Sequence, residues 1–193
     1  MKKRRINLDK PGLSIVIPTY NEKENISIIL GKLKKILKNT EHEVIFVDDN
    51  SPDGTSTEIR TFIRSSTKIH LIHRIGRRGL SGAIIEGVFA AKYELVAVMD
   101  CDLQHDETKL LDMKDLFSKN GSLDIVIGTR FSETGEISDQ AFSKVRELGS
   151  KITTLLIKSL LNINSTDPLS GFFMVKKETF LKNSDNLQTQ GLK

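Results

Sequence analysis

The sequence contains a single cysteine, Cys101, among its 193 residues. One thiol cannot form a disulfide within the chain, and such scarcity of cysteine is typical of proteins in a reducing compartment. Cys101 stands between two aspartates. We expect it to be a small buried side chain and not a nucleophilic thiolate.

Tryptophan is absent, and only two tyrosines are present. Proteins that bind single-stranded nucleic acid use such rings as stacking platforms between basic residues, so we expect no nucleic-acid partner. Long apolar runs are missing too, since no stretch approaches the roughly 18 residues of a membrane-spanning helix. The run Leu13–Ile17 stops at Pro18 and is too short for the apolar region of a secretory signal peptide.

Basic residues exceed acidic ones by a net charge of +4, and the segment Lys2–Arg5 carries as many positive charges as the whole excess. Such an arm suits an anionic surface, and it is equally compatible with a solubilising tail. We divide the chain into a basic N-terminal arm, residues 1–12, and one domain, residues 13–193, because this length supports one sizeable core.

The chain does contain an apolar pentapeptide, Leu95–Met99, that ends in two carboxylates, Asp100 and Asp102. The run is typical of a strand buried on both faces of a sheet, and open α/β sheets bind ligands beyond the carboxyl ends of their strands. Alternate residues of an extended chain share a face, so the two carboxylates could form an oxygen site for Mg²⁺ or Mn²⁺. An isolated Asp-x-Asp is also common as two solvated loop residues.

Apolar strands alternate with helical patterns along the chain, and this order predicts βαβ units and a mostly parallel sheet flanked by helices, an α/β fold. The expected strands are residues 13–18, 44–47, 69–73, 95–99, 124–128 and 172–175, with a longer helix over 142–160. Asn21 is a candidate N-cap of the first helix. Right-handed crossovers would collect the following residues at one edge of the sheet: Tyr20, Glu22, Asp48, Asp49, Asp100, Asp102, Thr129 and Arg130.

Three other phosphate-binding or nucleotide-binding designs do not fit the sequence. A P-loop needs Gly-x4-Gly-Lys-Ser/Thr, which is absent, and a dinucleotide fold needs Gly-x-Gly-x-x-Gly where this chain has Pro18–Glu22. A response-regulator-like phosphoacceptor domain also places acids at strand ends, but it would be shorter and would not need the long second half.

Four segments in order resemble glycosyltransferase family 2. They are Ile17–Glu22, Val47–Thr55, Arg77–Ala83 and Met99–His105. The resemblance covers residues 13–193 and is strongest to the dolichyl- or polyprenyl-phosphate mannose synthases of that family, which residues 50–54 favour. It implies a GT-A type nucleotide-diphospho-sugar transferase fold, a nucleotide-sugar donor and a divalent metal. It also implies transfer to a lipid-linked phosphate with inversion at the anomeric carbon.

The resemblance assigns roles to ten residues, position by position. Pro18, Tyr20, Glu22 and Asp49 would hold the nucleoside, Asp100, Asp102 and Gln104 the metal and diphosphate, Arg130 the reacting phosphates, and Arg146 and Ser150 the acceptor phosphate. Asp102 and Arg130 would be the catalytic pair. His73 and His105 receive no role and are expected to be structural or surface residues.

A lipid phosphate is already an anionic nucleophile, so the absence of an obvious general base is no objection. The expected reaction moves mannose from GDP-mannose to dolichyl or polyprenyl phosphate. Two alternatives stay open: a UDP-glucose or other UDP-sugar transferase with an undecaprenyl phosphate or polysaccharide acceptor, and an inactive member of the family. The second arises because the family continues beyond the position of Lys193, so we expect the domain to be incomplete at its C-terminus.

The expected location is the cytoplasmic face of a membrane, bound peripherally. Many members of the family carry transmembrane helices that this sequence lacks. The surfaces expected to contact anionic lipid are the N-terminal arm and the basic face of the helix around residues 144–158.

Overall fold

The computed structural model describes residues 12–128 and 171–184, which form one sheet with helices on both faces. The strands are β1 (Leu13–Thr19), β2 (His42–Asp48), β3 (Ile69–His73), β4 (Leu95–Val98), β5 (Ile125–Ile127) and β6 (Phe173–Lys176). The helices are α1 (Lys23–Ile36), α2 (Thr55–Ile63), α3 (Leu80–Ala90), α4 (Lys109–Lys119) and α5 (Lys177–Lys182).

The six strands of the described residues lie in the order β3-β2-β1-β4-β6-β5. The first four are parallel neighbours, whereas β6 is antiparallel to both β4 and β5. The expected α/β fold with a mostly parallel sheet is therefore confirmed. The antiparallel β6 places the start of its strand, Phe173, opposite Val98 at the end of β4.

The sheet separates two apolar layers because successive strand residues point to opposite faces. Helices α1, α2 and α4 cover one face, where Ile15 and Phe46 are buried, and α3 and α5 cover the other, where Val16 and Val47 are buried. Helix α3 lies very close to β1, since a Cβ at Gly87 would come within 2.3 Å of Val16 Cγ1. Glycine at this position is what lets the helix approach the sheet.

The structure corrects the predicted cap of the first helix. Asn21 does not cap α1: it has a left-handed backbone, φ 60°, and Glu22 occupies the N-cap position without a side-chain cap hydrogen bond. The backbone amides of residues 21–23 instead donate, in three bonds, to the loop between β2 and α2 and to the first residue of α2. These are Asn21 N to Ser51 Oγ (2.9 Å), Glu22 N to Thr55 Oγ1 (3.0 Å) and Lys23 N to Asp53 Oδ2 (3.2 Å).

Strand β2 begins two residues before the predicted 44–47 run, because a polar residue is accommodated in the interior. Glu43 is 6% exposed, and it accepts hydrogen bonds from the Ser14 hydroxyl (2.6 Å) and the Lys92 amide (2.6 Å). A hydrophobic pattern does not reveal such a satisfied buried acid.

Several sequence predictions fall outside the described residues: residues 1–11 of the N-terminal arm, the Thr129–Arg130 pair and the long helix over 142–160. Within the part of the chain that is described, no helix is long and apolar enough to span a membrane.

Candidate active site

The loops that follow β1, β2 and β4 meet at the carboxyl edge of the parallel strands. Thr19 at the end of β1 is paired with Asp48 at the end of β2, so these two strands end at the same level. Strand β4 ends three residues earlier, with Val98 opposite Val16, and the amide of the next residue, Met99, donates to the carbonyl of Val16 at 3.2 Å. Because β6 is antiparallel, the residues that precede it, Gly171 and Phe172, enter the same edge. This edge is where sequence reasoning placed the site.

Asp100 and Asp102, the central pair of the predicted metal site, are both partly exposed in the loop after β4. Asp102 Oδ1 accepts a hydrogen bond from the backbone amide of Gln104 at 3.0 Å, while the Gln104 side chain is exposed. Leu103 between them has a φ of 64°, a left-handed conformation that costs on the order of 1 kcal/mol or more for a residue with a side chain. The loop is therefore held in a tight, specific turn around the two carboxylates.

Glu22 is electrostatically coupled to this pair. Burial raises the pKa of the Glu22 carboxyl above its ordinary value, and the negative charges of Asp102 and Asp100 raise it further. A hydrogen bond from Asn25 Nδ2 to Glu22 Oε2, 2.7 Å, opposes these effects. Three carboxylates from two loops thus share one edge, and their mutual repulsion makes the site suited to a cation.

The donor set fits Mg²⁺ or Mn²⁺ that is shared with a diphosphate. Across residues 12–128 and 171–184, no group of three or more His, Cys, Asp or Glu side chains is arranged as a metal cage. Such a cage is not needed, since Mg²⁺ in phosphate-transfer sites is usually bound by one or two carboxylates together with substrate phosphates. Asp100 and Asp102 supply that number.

Asp48, which sequence reasoning placed at the same edge, is turned away from solvent. It is 0% exposed, and its carboxylate accepts hydrogen bonds from the Thr19 hydroxyl (3.2 Å) and from the Ser51 amide (3.1 Å) and hydroxyl. These bonds close the loop after β2. Asp48 therefore shapes the edge and does not line it.

Asp49 is also buried, and its carboxylate is bound by the basic loop that follows β3. Arg74 Nη1 and the amide of Gly79 (2.6 Å) donate to its two oxygens. Arg74 is 3% exposed and also donates from Nε to Glu86 at 3.1 Å. Two of the four lone-pair positions of the Asp49 carboxylate are used in this way, which leaves capacity for a ligand.

The exposed residues of the β1 loop meet the same basic loop. Tyr20 is 45% exposed, and the guanidinium carbon of Arg78 lies 4.9 Å from the centre of its ring. This cation–π contact brings a positive charge to an acidic edge. Pro18, beside Tyr20, is partly buried at the end of β1.

Cys101 conforms to its sequence-based expectation. It is 2% exposed, and burial, reinforced by the nearby charges of Glu22, Asp102 and Asp100, raises the pKa of its thiol to about 12. The side chain is therefore a protonated thiol at neutral pH and takes part in packing.

Comparison with known proteins identifies the family of this chain. Residues 14–182 match the sequence profile described as Glycosyl transferase family 2. The chain belongs to glycosyltransferase family 2. The resemblance carried by the four segments of the sequence is thereby confirmed.

The curated relatives of this family 2 chain include dolichol-phosphate mannosyltransferases. That of Pyrococcus furiosus is 35% identical over 170 residues, 86% of this chain and 46% of the relative. That of Saccharomyces cerevisiae is 32% identical over 187 residues, 93% of this chain and 67% of the relative. The chain thus spans about half to two thirds of the length of these relatives.

Solved structures of similar fold include two enzymes at low sequence identity. A mannosyltransferase from Pyrobaculum calidifontis, solved in complex with GDP-Man and Mn²⁺, has a TM-score of 0.59 at 20% identity, with 88% of this chain and 45% of that chain covered. Mannosyl-3-phosphoglycerate synthase from Rubrobacter xylanophilus has a TM-score of 0.62 at 17% identity, covering 87% and 54%. These likenesses establish the GT-A type fold that the resemblance to the family implied.

Seven of the ten predicted site residues of the family 2 chain lie at this edge, whereas Arg130, Arg146 and Ser150 fall outside the described residues. Sequence reasoning did not assign a role to Arg74, Arg78 or His105. One sequence feature did point to Arg74: it directly follows β3, and β3 neighbours β2, the strand that ends in acidic residues.

Proposed function

We propose that this protein transfers a mannosyl group from GDP-mannose to the phosphate of a dolichyl or other polyprenyl phosphate, with inversion at the anomeric carbon and with a divalent cation. The observation that carries the proposal is the carboxylate pair Asp100 and Asp102 at the carboxyl edge of the sheet, coupled to Glu22. The names of the curated relatives supply the mannosyl donor and the dolichyl acceptor.

In this proposal the chain's own residues bind and orient two anionic substrates. Asp100, Asp102 and Gln104 hold the cation, which would neutralise the diphosphate as it leaves the sugar. Pro18, Tyr20, Glu22 and Asp49 contact the nucleoside side of the donor. The cation-binding residues lie in the loop after β4, and the nucleoside-binding residues lie at the ends of β1 and β2 and in the loops that follow them.

The reaction requires charge neutralisation and alignment, because the acceptor phosphate already carries the negative charge of a nucleophile. Bringing two anions into line is the main barrier that the site has to lower. Arg130 is proposed to act with Asp102 on the reacting phosphates. Arg146 and Ser150, four residues apart, are proposed to grip the acceptor phosphate, since a guanidinium can bind two phosphate oxygens at once.

The acceptor is a lipid, so we propose that the protein works at a membrane surface, peripherally and on the cytoplasmic face. The basic arm Lys2–Arg5 and the basic residues 144–158 are the proposed contacts with anionic lipid. Each such charge near an anionic surface contributes about 1 kcal/mol, so a few of them support weak, reversible binding.

The choice of donor is tested by turnover. The protein, with Mn²⁺ and dolichyl phosphate in detergent, is incubated in parallel with GDP-mannose and UDP-glucose, and the lipid product is isolated. With GDP-mannose we expect the wild type to form mannosylated dolichyl phosphate and the Asp102→Asn variant to form no product. The asparagine amide oxygen can still accept the hydrogen bond from the Gln104 backbone, but the negative charge is removed. Faster transfer from UDP-glucose would replace the proposed donor, and no transfer from either nucleotide sugar would contradict the proposed reaction.

A further inference from the structure

Asp100 of the candidate metal site is hydrogen-bonded to a histidine that has no role in the proposed reaction. His105 Nε2 lies 3.2 Å from Asp100 Oδ2, a distance at which the ring N–H donates a hydrogen bond. The His105 side chain is 11% exposed, whereas that of Asp100 is 36% exposed. In the described residues, the other carboxylate oxygen, Oδ1, accepts no hydrogen bond from protein.

The histidine ring is itself fixed by the segment that leads into β6. Phe172 is 4% exposed, and its ring is stacked on that of His105 with centroids 5.1 Å apart and planes inclined by 24°. The backbone of β6 is anchored to β4 and β5, so the phenyl ring has a rigid support. Packing on one side and the hydrogen bond on the other define the orientation of the imidazole.

Gly171, the residue before Phe172, contacts the same carboxylate. A Cβ at Gly171 would lie 2.7 Å from Asp100 Oδ2, which is closer than non-bonded atoms tolerate. The main chain of Gly171 therefore lies directly against the carboxylate. Asp100 Oδ2 is thus approached by both the Gly171 main chain and the His105 ring. His105 directly follows Gln104 in the loop after β4, whereas Gly171 belongs to the segment that leads into β6.

We propose that His105 is a positioning residue, which, together with Phe172 and Gly171, fixes the Asp100 carboxylate in the orientation that binds the divalent cation. The hydrogen bond engages Oδ2 and leaves Oδ1 for the metal. The inference rests on the proposed function, since it takes Asp100 to be a metal ligand. Hydrogen-bonded partners of metal ligands orient them, and their loss typically weakens metal affinity by about 10- to 100-fold.

Two substitutions separate the hydrogen bond from the packing. His105→Phe keeps an aromatic ring against Phe172 but removes the donor to Asp100. His105→Gln loses the ring but can place an amide N–H where Nε2 was. His70→Phe is the matched control, because His70 Nε2 lies 3.3 Å from the Glu43 carboxylate near the opposite end of the strands.

The measurement is the affinity for Mn²⁺ in the presence of GDP, read from the electron paramagnetic resonance signal of free Mn²⁺. We expect His105→Phe to bind Mn²⁺ about 10- to 100-fold more weakly than the wild type, and His105→Gln to restore most of that affinity. His70→Phe should match the wild type. Gly171→Ala, whose added methyl group would press on Asp100, should weaken Mn²⁺ binding as well and serves if His105→Phe does not fold.

Three results would overturn the inference, and they differ in whether they also refute the metal site of the proposed function. Unchanged Mn²⁺ affinity in folded His105→Phe refutes the positioning role alone. Nitrogen coupling to bound Mn²⁺ in the spin-echo spectrum of the wild type would make His105 a ligand instead of a positioning residue. Unchanged affinity in Asp100→Asn would refute both this inference and the metal site of the proposed function.

Discussion

Arg74 and Asp49 form an ion pair that is almost entirely removed from solvent, with side-chain exposures of 4% and 11%. The pair joins the ends of β3 and β2, and Arg74 also donates to Glu86 and to the carbonyl of Gly79. A single guanidinium therefore fixes the basic loop after β3 against the candidate site. Breaking a buried pair from one side leaves an uncompensated charge, which is more costly than losing the pair itself.

The first prediction is that Arg74→Met destabilises the fold by about 3–5 kcal/mol, because Asp49 is left buried and unpaired. The measurement is urea unfolding followed by circular dichroism. Arg77→Met is the control, since Arg77 pairs with the same Glu86 but is 59% exposed, and its loss should cost no more than about 1 kcal/mol. Equal effects of the two substitutions would show that the buried pair is not a structural element.

The second prediction concerns Asp53, which holds the amino ends of two helices. Its carboxylate accepts hydrogen bonds from the Thr55 amide (2.9 Å) and hydroxyl (2.6 Å) at the start of α2, and from the Lys23 amide (3.2 Å) at the start of α1. Asp53→Ala should cost about 1–2 kcal/mol of stability, measured by the same unfolding experiment.

Asp106 provides the matched comparison for this prediction. It makes the same local bonds to the Thr108 amide (3.0 Å) and hydroxyl (2.5 Å), but no bond to a second helix. Asp106→Ala should therefore cost less than Asp53→Ala. If the two losses are equal, the contact between the β1 and β2 loops contributes nothing to stability.

The hydrogen bonds to Asp53 also predict a response of stability to acid. Although burial raises the pKa of Asp53, the hydrogen bonds from Thr55 and Lys23 outweigh it and hold the pKa below its ordinary value of 3.8. A carboxylate with a lowered folded pKa stabilises the protein above its unfolded pKa and loses that contribution as the pH falls through the folded value. The difference between wild type and Asp53→Ala should thus be constant near neutrality and shrink at pH values below the ordinary pKa.

The third prediction is that Glu22→Gln stabilises the protein at pH 7 in the absence of metal and nucleotide. The folded pKa of Glu22 lies above its ordinary value of 4.5 because of burial and then the charges of Asp102 and Asp100. As the pH rises, Glu22 therefore loses its proton at a lower pH in the unfolded chain than in the folded protein. The free energy of unfolding falls between these two pKa values. Glutamine removes the charge while its carbonyl can still accept the bond from Asn25.

Thermal unfolding from pH 4 to pH 8 measures this effect. The gain in unfolding temperature should be present at pH 7 and vanish below the ordinary pKa of the carboxyl, where Glu22 is protonated in both states. Glu24→Gln, an exposed acid in the first turn of the same helix, should lower stability slightly, since an acid there favours the helix dipole. A stabilisation by Glu22→Gln that persists unchanged at pH 4 would contradict the electrostatic cause.

Much of the fold could be predicted from the sequence, because buried parallel strands are short, continuously apolar and easily recognised. The strand Ile69–His73 was placed at its observed bounds, and the acids after β2 and β4 were placed at the correct edge. The direction of β6 could not be predicted, since it depends on the course of the chain between β5 and β6 and not on the local pattern of residues 173–176.

The parts of the site that sequence reasoning missed are all products of tertiary contact. Asn21 is of a residue type that often caps helices, but here the backbone amides of residues 21–23 donate instead to the side chains of Ser51, Thr55 and Asp53, about thirty positions away. His105 is separated from Phe172 by 67 positions, so no local spacing could pair their rings. Asp48 and Asp49 are adjacent and chemically identical, and only their burial and partners distinguish a loop-closing residue from a candidate ligand.

The measurement that tests the central claim most directly is calorimetric titration of GDP-mannose into the protein, once with MnCl₂ and once with EDTA. The account predicts clear binding with Mn²⁺, much weaker binding in EDTA, and a matching loss in Asp102→Asn even when Mn²⁺ is present. Equal affinity for GDP-mannose in all three conditions would show that the Asp100 and Asp102 edge does not bind the donor through a metal.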